Sequence, residues 1–98
     1  MARGNIERIR NNIRRRQYVM SAHAMEEMAE DNLDIADVEC SILNGSVVRG
    51  MRDDPRGTKY VVAGVAIDAI TPVGSVGQFA NAQRYLIVTV YEITDPND

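Results

Sequence analysis

The chain has 98 residues, 45% of them apolar and 26% charged, with a formal net charge of −3. That is the make-up of one small folded domain, neither disordered nor long enough to divide in two. A single cysteine, Cys40, and a single histidine, His23, exclude an internal disulfide framework, a cysteine zinc cluster and the paired-histidine metal motifs. No uncharged apolar run approaches the roughly 18 residues of a membrane-spanning helix, so a reducing, cytoplasmic setting with no membrane partner is expected.

The small net charge conceals a segregated distribution. Residues 1–20 carry six arginines against Glu7 alone, whereas residues 21–48 carry seven acidic residues and no lysine or arginine. Such a layout suits a nucleic-acid-facing patch, an acidic partner, or an electrostatic match between neighbouring helices. An arginine-rich beginning also has the composition of a mitochondrial transit peptide. Ile6, Ile9 and Ile13 nevertheless repeat at helical spacing, which favours a packed helix.

The first expected element is a helix over residues 5–16, with the three isoleucines on a narrow apolar face. A short β-prone stretch over residues 17–20 follows. Ser21 caps a second helix reaching about residue 31, with Met25, Met28 and Ala29 near its buried side. Asp34 caps a third helix, with Asp37 in its first turn where negative charge suits the helix dipole. Ile35, Val38, Ile42 and Leu43 form its expected core side, and Cys40 lies between them as a small buried hydrophobe. Asn44-Gly45 closes this helix with residue types that tolerate a left-handed conformation.

From Ser46 onward the periodicity becomes that of strands. Strands are expected over residues 47–52, 59–67, 73–79 and 85–93. Asp54, Pro55 and Gly57 fit a type I turn joining the first two as a hairpin. Gly74 and Gly77 mark the third as a bulge or an edge, and residues 81–84 turn into the fourth. The expected fold class is α+β, with N-terminal helices packed on a C-terminal antiparallel sheet of about four strands. An open edge near residues 73–79 makes a homodimer by strand pairing a further expectation.

Several side chains have chemistry to offer. His23, in the first turn of an acidic helix, could act as general acid or base, or could fix the strand-to-helix corner by bonding backbone or Tyr18. Arg56, in the turn, could grip a phosphate or pair with Asp53 or Asp54. Lys59 and Arg84 could add charge nearby. Tyr85, Thr89 and Tyr91 share one strand face by alternation, so that Tyr91 could stack a base or form a cross-strand aromatic pair.

The run Tyr18-Val19-Met20-Ser21-Ala22-His23-Ala24 resembles the strand and S-x-H-A motif that opens domain-of-unknown-function family 4258. Asp37-Val38, Leu43-Asn44-Gly45, residues 53–57, Val62-Ala63-Gly64 and residues 87–92 match its later blocks in order, so the resemblance spans about residues 5–95. That family resembles the RelE/ParE-like toxins, small α+β domains that include metal-independent ribonucleases, and its members often lie beside a small zinc-finger antitoxin. The resemblance implies a toxin-like domain of a toxin–antitoxin type system, acting as a metal-independent ribonuclease without a cofactor. On it, His23, Arg56 and Tyr91 are the expected catalytic residues, and Lys59 and Arg84 the expected RNA-binding ones. The chain departs from the family pattern at Glu30 and Asp31, where basic residues are common, and at Asn32, where glycine is frequent. These losses of positive charge support the alternative, a non-catalytic protein-interaction module that keeps the toxin-like fold.

Overall fold

A computed structural model of the chain describes residues 2–52, 55 and 57–94. The isoleucine stripe does form a helix, α1 (Ala2–Arg14), which buries Ile6, Ile9 and Ile13. It ends in a Schellman motif: the Gln17 amide donates to Asn12 O (2.8 Å) and the Arg16 amide to Ile13 O (3.1 Å). Arg16 consequently sits at φ +58°, a left-handed position that favours glycine. The chain then extends into β1 (Tyr18–Met20).

Ser21 caps α2 (Ala22–Glu30), its Oγ accepting from the Ala24 amide at 3.0 Å. This helix also ends in a Schellman motif, with Leu33 N–H on Met28 O and Asn32 N–H on Ala29 O. Asn32 takes the left-handed residue at φ +56°, which explains how it can replace a glycine. Asp34 and Asp37 form a reciprocal capping box at the start of α3 (Ile35–Asn44).

Two details of the helices differ from the sequence reading. Ala24 and Met28 face the core from α2, while Met25 and Ala29 are exposed; Val38, Ser41 and Ile42 do so from α3, leaving Ile35 half exposed and Cys40 half buried. α3 comes close to β3 at Ser41, whose carbonyl lies against Gly64, and Leu43 joins Ile35 among its exposed residues. Gly45 ends α3 in extended conformation (φ −90°, ψ −171°) rather than left-handed. A side chain there would collide with the carbonyls of Ser41 and Ala63, so its requirement is for space.

The strands β2 (Ser46–Met51), β3 (Lys59–Val65), β4 (Pro72–Phe79) and β5 (Tyr85–Glu92) combine with β1 in one sheet ordered β1-β5-β4-β3-β2. The sheet therefore has five strands rather than about four. It is mixed rather than antiparallel, because β1 runs parallel to β5 with Tyr18 opposite Tyr85. The β2–β3 hairpin forms as expected, although Asp53, Asp54 and Arg56 of its turn lie outside the described residues.

The bulge expected in the strand of Gly74 and Gly77 lies instead in its partner β5, with Val76 opposite Thr89 and Gly77 opposite Ile87. Nor is β4 an edge: it is the middle strand, so it offers no free rim for a homodimer. Its glycines instead make room for the rings of Tyr91 and Tyr85. Val88 is the extra residue of the bulge, and its insertion reverses the alternation of β5. Tyr85, Ile87 and Val90 face the helices and are fully buried, whereas Tyr91 falls on the opposite, uncovered face. The shared face expected for Tyr85 and Tyr91 is thus corrected by one residue of bulge.

Candidate functional site: a cationic end of the sheet

Strand directions place the hairpin between β2 and β3, the turn between β4 and β5, and the start of β1 at one end of the sheet. The last turn of α1 reaches the same end, where Asn12 Nδ2 donates to Gln17 O and Gln83 O, both at 3.0 Å. Arg14, Arg15, Arg16, Arg52 and Arg84 gather here, all exposed. Arg8 joins them, its guanidinium 4.0 Å from the centroid of the Phe79 ring. Arg10 pairs with Glu7 and His23 with Glu27, and among the described residues none of these arginines pairs with a carboxylate of α2 or α3. The internal helix-to-helix charge match allowed by the sequence does not form among them.

The other end is acidic. Asp31, Asp37, Asp68 and Glu92 collect there. Asp68 is bonded to the Thr71 hydroxyl (2.6 Å) and to the Thr71 and Ile70 amides, contacts that hold its carboxyl below the usual range.

A cleft of about 380 Å³ opens at the cationic end between α1, β2 and β3, lined by Asn5, Val47, Gly50, Arg52, Thr58 and Tyr60. The rings of Tyr60 and Phe79 meet edge to face at 6.1 Å, and those of Phe79 and Tyr85 at 5.2 Å. Tyr85 is fully buried, and burial pushes its phenol well above the ordinary value of 10.0. The partly buried rings of Tyr60 and Phe79 and the nearby arginines make one aromatic, cationic surface, with Tyr85 beneath them.

The residues singled out from the sequence are scattered over this frame. His23 is exposed on α2, with Nε2 3.4 Å from Glu27 Oε2. It does not bond Tyr18, whose hydroxyl donates instead to Glu39 Oε2 at 2.6 Å. Burial and this carboxylate raise the Tyr18 phenol well above its ordinary value. Tyr91 packs over Gly74 on the uncovered face. Lys59 lies on that same face at the cationic end. Four residues along the strands and two strands across separate it from Tyr91, about 16 Å. Arg84 stands at the cationic end, its amide bonded to Asn81 Oδ1 at 2.9 Å. Arg56 lies outside the described residues. The structure therefore groups Arg84 with the α1 arginines and does not bring Tyr91 to them. Among the described residues no group of three or more histidine, cysteine or carboxylate side chains could hold a metal ion.

Residues 20–92 match the family profile DUF4258, a domain of unknown function. The chain belongs to the DUF4258 family. No curated protein and no solved structure was found to match it. The DUF4258 match begins at Met20 and so leaves out α1, the element that supplies Arg8 and Arg14 to the cationic end. It does cover α2, whose acidic residues have a structural task in this DUF4258 chain. Glu27 Oε1 accepts from the Val90 amide (3.1 Å), Asp31 Oδ2 accepts from the Glu92 amide (3.0 Å), and Ser21 Oγ donates to Val88 O (2.8 Å). β1 pairs only with residues 85–87 of β5; beyond it, side chains of α2 cover the rim. One helical turn advances about 5.4 Å and two strand residues about 6.8 Å, so acids four apart on α2 meet amides two apart on β5. Asp31 is thus tied to the sheet, whatever its effect on RNA. Among the described residues no helix is long and apolar enough to cross a membrane.

Sequence reasoning missed the cleft. Asn5, Gly50, Thr58 and Tyr60 are ordinary residues of helix and hairpin, and no local pattern marks them. Only the hairpin register and the path of α1 across it bring them together.

Proposed function

We propose that this chain is a toxin-like domain that binds RNA through the cationic end of its sheet, as a RelE-like member of a toxin–antitoxin type system. The observation that carries the reading is the concentration of exposed arginines beside an aromatic cleft, none of them paired with α2 or α3. Phosphates are attracted by such a field, and unpaired bases stack on such rings. A small antitoxin would silence the domain by covering this surface. Metal-independent cleavage would draw on His23, Arg56 and Tyr91, with Lys59 and Arg84 holding the strand.

Fluorescence anisotropy with a labelled single-stranded RNA over a range of salt concentrations tests the binding. Neutralising four phosphates, one each by Arg15, Arg16, Arg52 and Arg84, corresponds to a slope of about −3 in log affinity against log salt. Affinity that is immeasurable, or indifferent to salt, refutes the reading. Induced expression with a growth and RNA-integrity readout, in extracts with and without chelator, tests cleavage separately.

A second reading is the non-catalytic interaction module. It is favoured by the placement of the candidate catalytic residues: His23 is paired with Glu27 and Tyr91 lies about 16 Å from Lys59. Intact RNA and normal growth, alongside a folded protein, decide for it.

A further inference from the structure

We propose that the cleft between α1 and the β2–β3 hairpin is a nucleobase pocket, taking one unpaired base against Tyr60 with the adjoining phosphate on Arg52. The proposal rests on the RNA-binding reading and deepens it by naming what is bound and where.

The space exists because of one missing side chain. Gly50 stands directly opposite Tyr60 in the hairpin register, on the helix-facing side of the edge strand. A Cβ built on Gly50 would have no atom within 4 Å. The other close-packed glycines of the sheet behave differently: at Gly64, Gly74 and Gly77 a Cβ would collide with neighbouring atoms. Gly50 is therefore not required for packing, and the void above it forms part of the 380 Å³ cleft. That volume lies within the range of small-ligand sites, roughly 300–1,000 Å³.

The lining suits a flat heteroaromatic group joined to an anion. Tyr60 supplies a ring held in place by Phe79, on which Arg8 in turn rests. Asn5 and Thr58 offer donors and acceptors at the edge, where the Watson–Crick groups of a base need partners. Arg52, exposed beside the cleft, is placed to fork onto a phosphate. A base reaches such a pocket only when it is out of a stack, so the ligand is single-stranded rather than duplex.

Two measurements on the full chain test this. The first compares Gly50→Leu and Tyr60→Leu with wild type in anisotropy against a labelled single-stranded RNA. Filling or stripping the pocket should weaken binding about 10- to 100-fold, the range measured for loss of one stacked base. The slope against salt should stay the same, because no charge is removed. Arg84→Gln, remote from the cleft, should instead lower the slope by about 0.7. The second places 2-aminopurine in the RNA and follows its quenching on wild-type protein, which needs no variant. Quenching that is lost in Gly50→Leu supports the pocket. Salt-dependent binding without quenching, or a folded Gly50→Leu with wild-type affinity, overturns the pocket and leaves the cationic surface standing. Absence of any RNA binding by wild type overturns both.

Discussion

The hydrogen bonds from α2 to the rim of β5 can be weighed against every other effect of one substitution, Glu27→Ala. The change removes the acceptor for the Val90 amide, and Val90 is fully buried. A buried donor left without a partner costs roughly 1–3 kcal/mol, more when the lost partner was charged. Loss of the contact with exposed His23 adds at most about 0.5 kcal/mol. The better helix propensity of alanine returns a few tenths. The sum is a destabilisation of about 2 kcal/mol, which for a domain of this size lowers the melting temperature by about 8–16 °C. Glu27→Gln keeps an oxygen at the same reach and should cost less than half as much. Calorimetry and denaturant titration give the energies, and amide exchange at Val90 locates the effect. Equal stability of the alanine and glutamine variants, or unchanged Val90 protection in Glu27→Ala, refutes the idea that side chains of α2 cover the rim of β5.

Other outcomes follow from the same structure. Ile9→Ala, at a fully buried position under α1, should cost about 3 kcal/mol in urea unfolding. Gly64→Ala places a Cβ against the Ser41 carbonyl and should destabilise by about 1–3 kcal/mol, whereas Gly50→Ala should be close to neutral in the same assay. Arg16→Gly relieves the left-handed strain at φ +58° and should stabilise by about 1 kcal/mol while weakening RNA binding. Tyr18 and Tyr85 stay protonated in the folded chain above the ordinary phenol value of 10.0. The unfolded chain then binds fewer protons, so stability should fall as pH rises above about 10. Tyr18→Phe should make that fall shallower in denaturant titrations at several pH values.

Much of the local architecture was legible in the chain itself. Caps at Ser21 and Asp34, the isoleucine stripe of α1 and the β2–β3 hairpin all follow from interactions within a few residues, which sequence spacing displays directly. So was the charge segregation, because composition by segment needs no fold. What tertiary structure decided was everything that depends on which strands become neighbours. The central place of β4 could not be read from its glycines, because the room they leave for Tyr85 and Tyr91 belongs to another strand. The parallel pairing of a three-residue β1 is carried by its partner β5, since a segment so short has almost no preference of its own. The bulge at Val88 turned Tyr91 away from Tyr85, separating residues that simple alternation would have joined. The cleft over Gly50 arises from the contact of three elements distant in sequence. Local hydrogen bonding and periodicity specify elements, but a binding surface is made by long-range packing, and packing depends on the whole set of contacts at once.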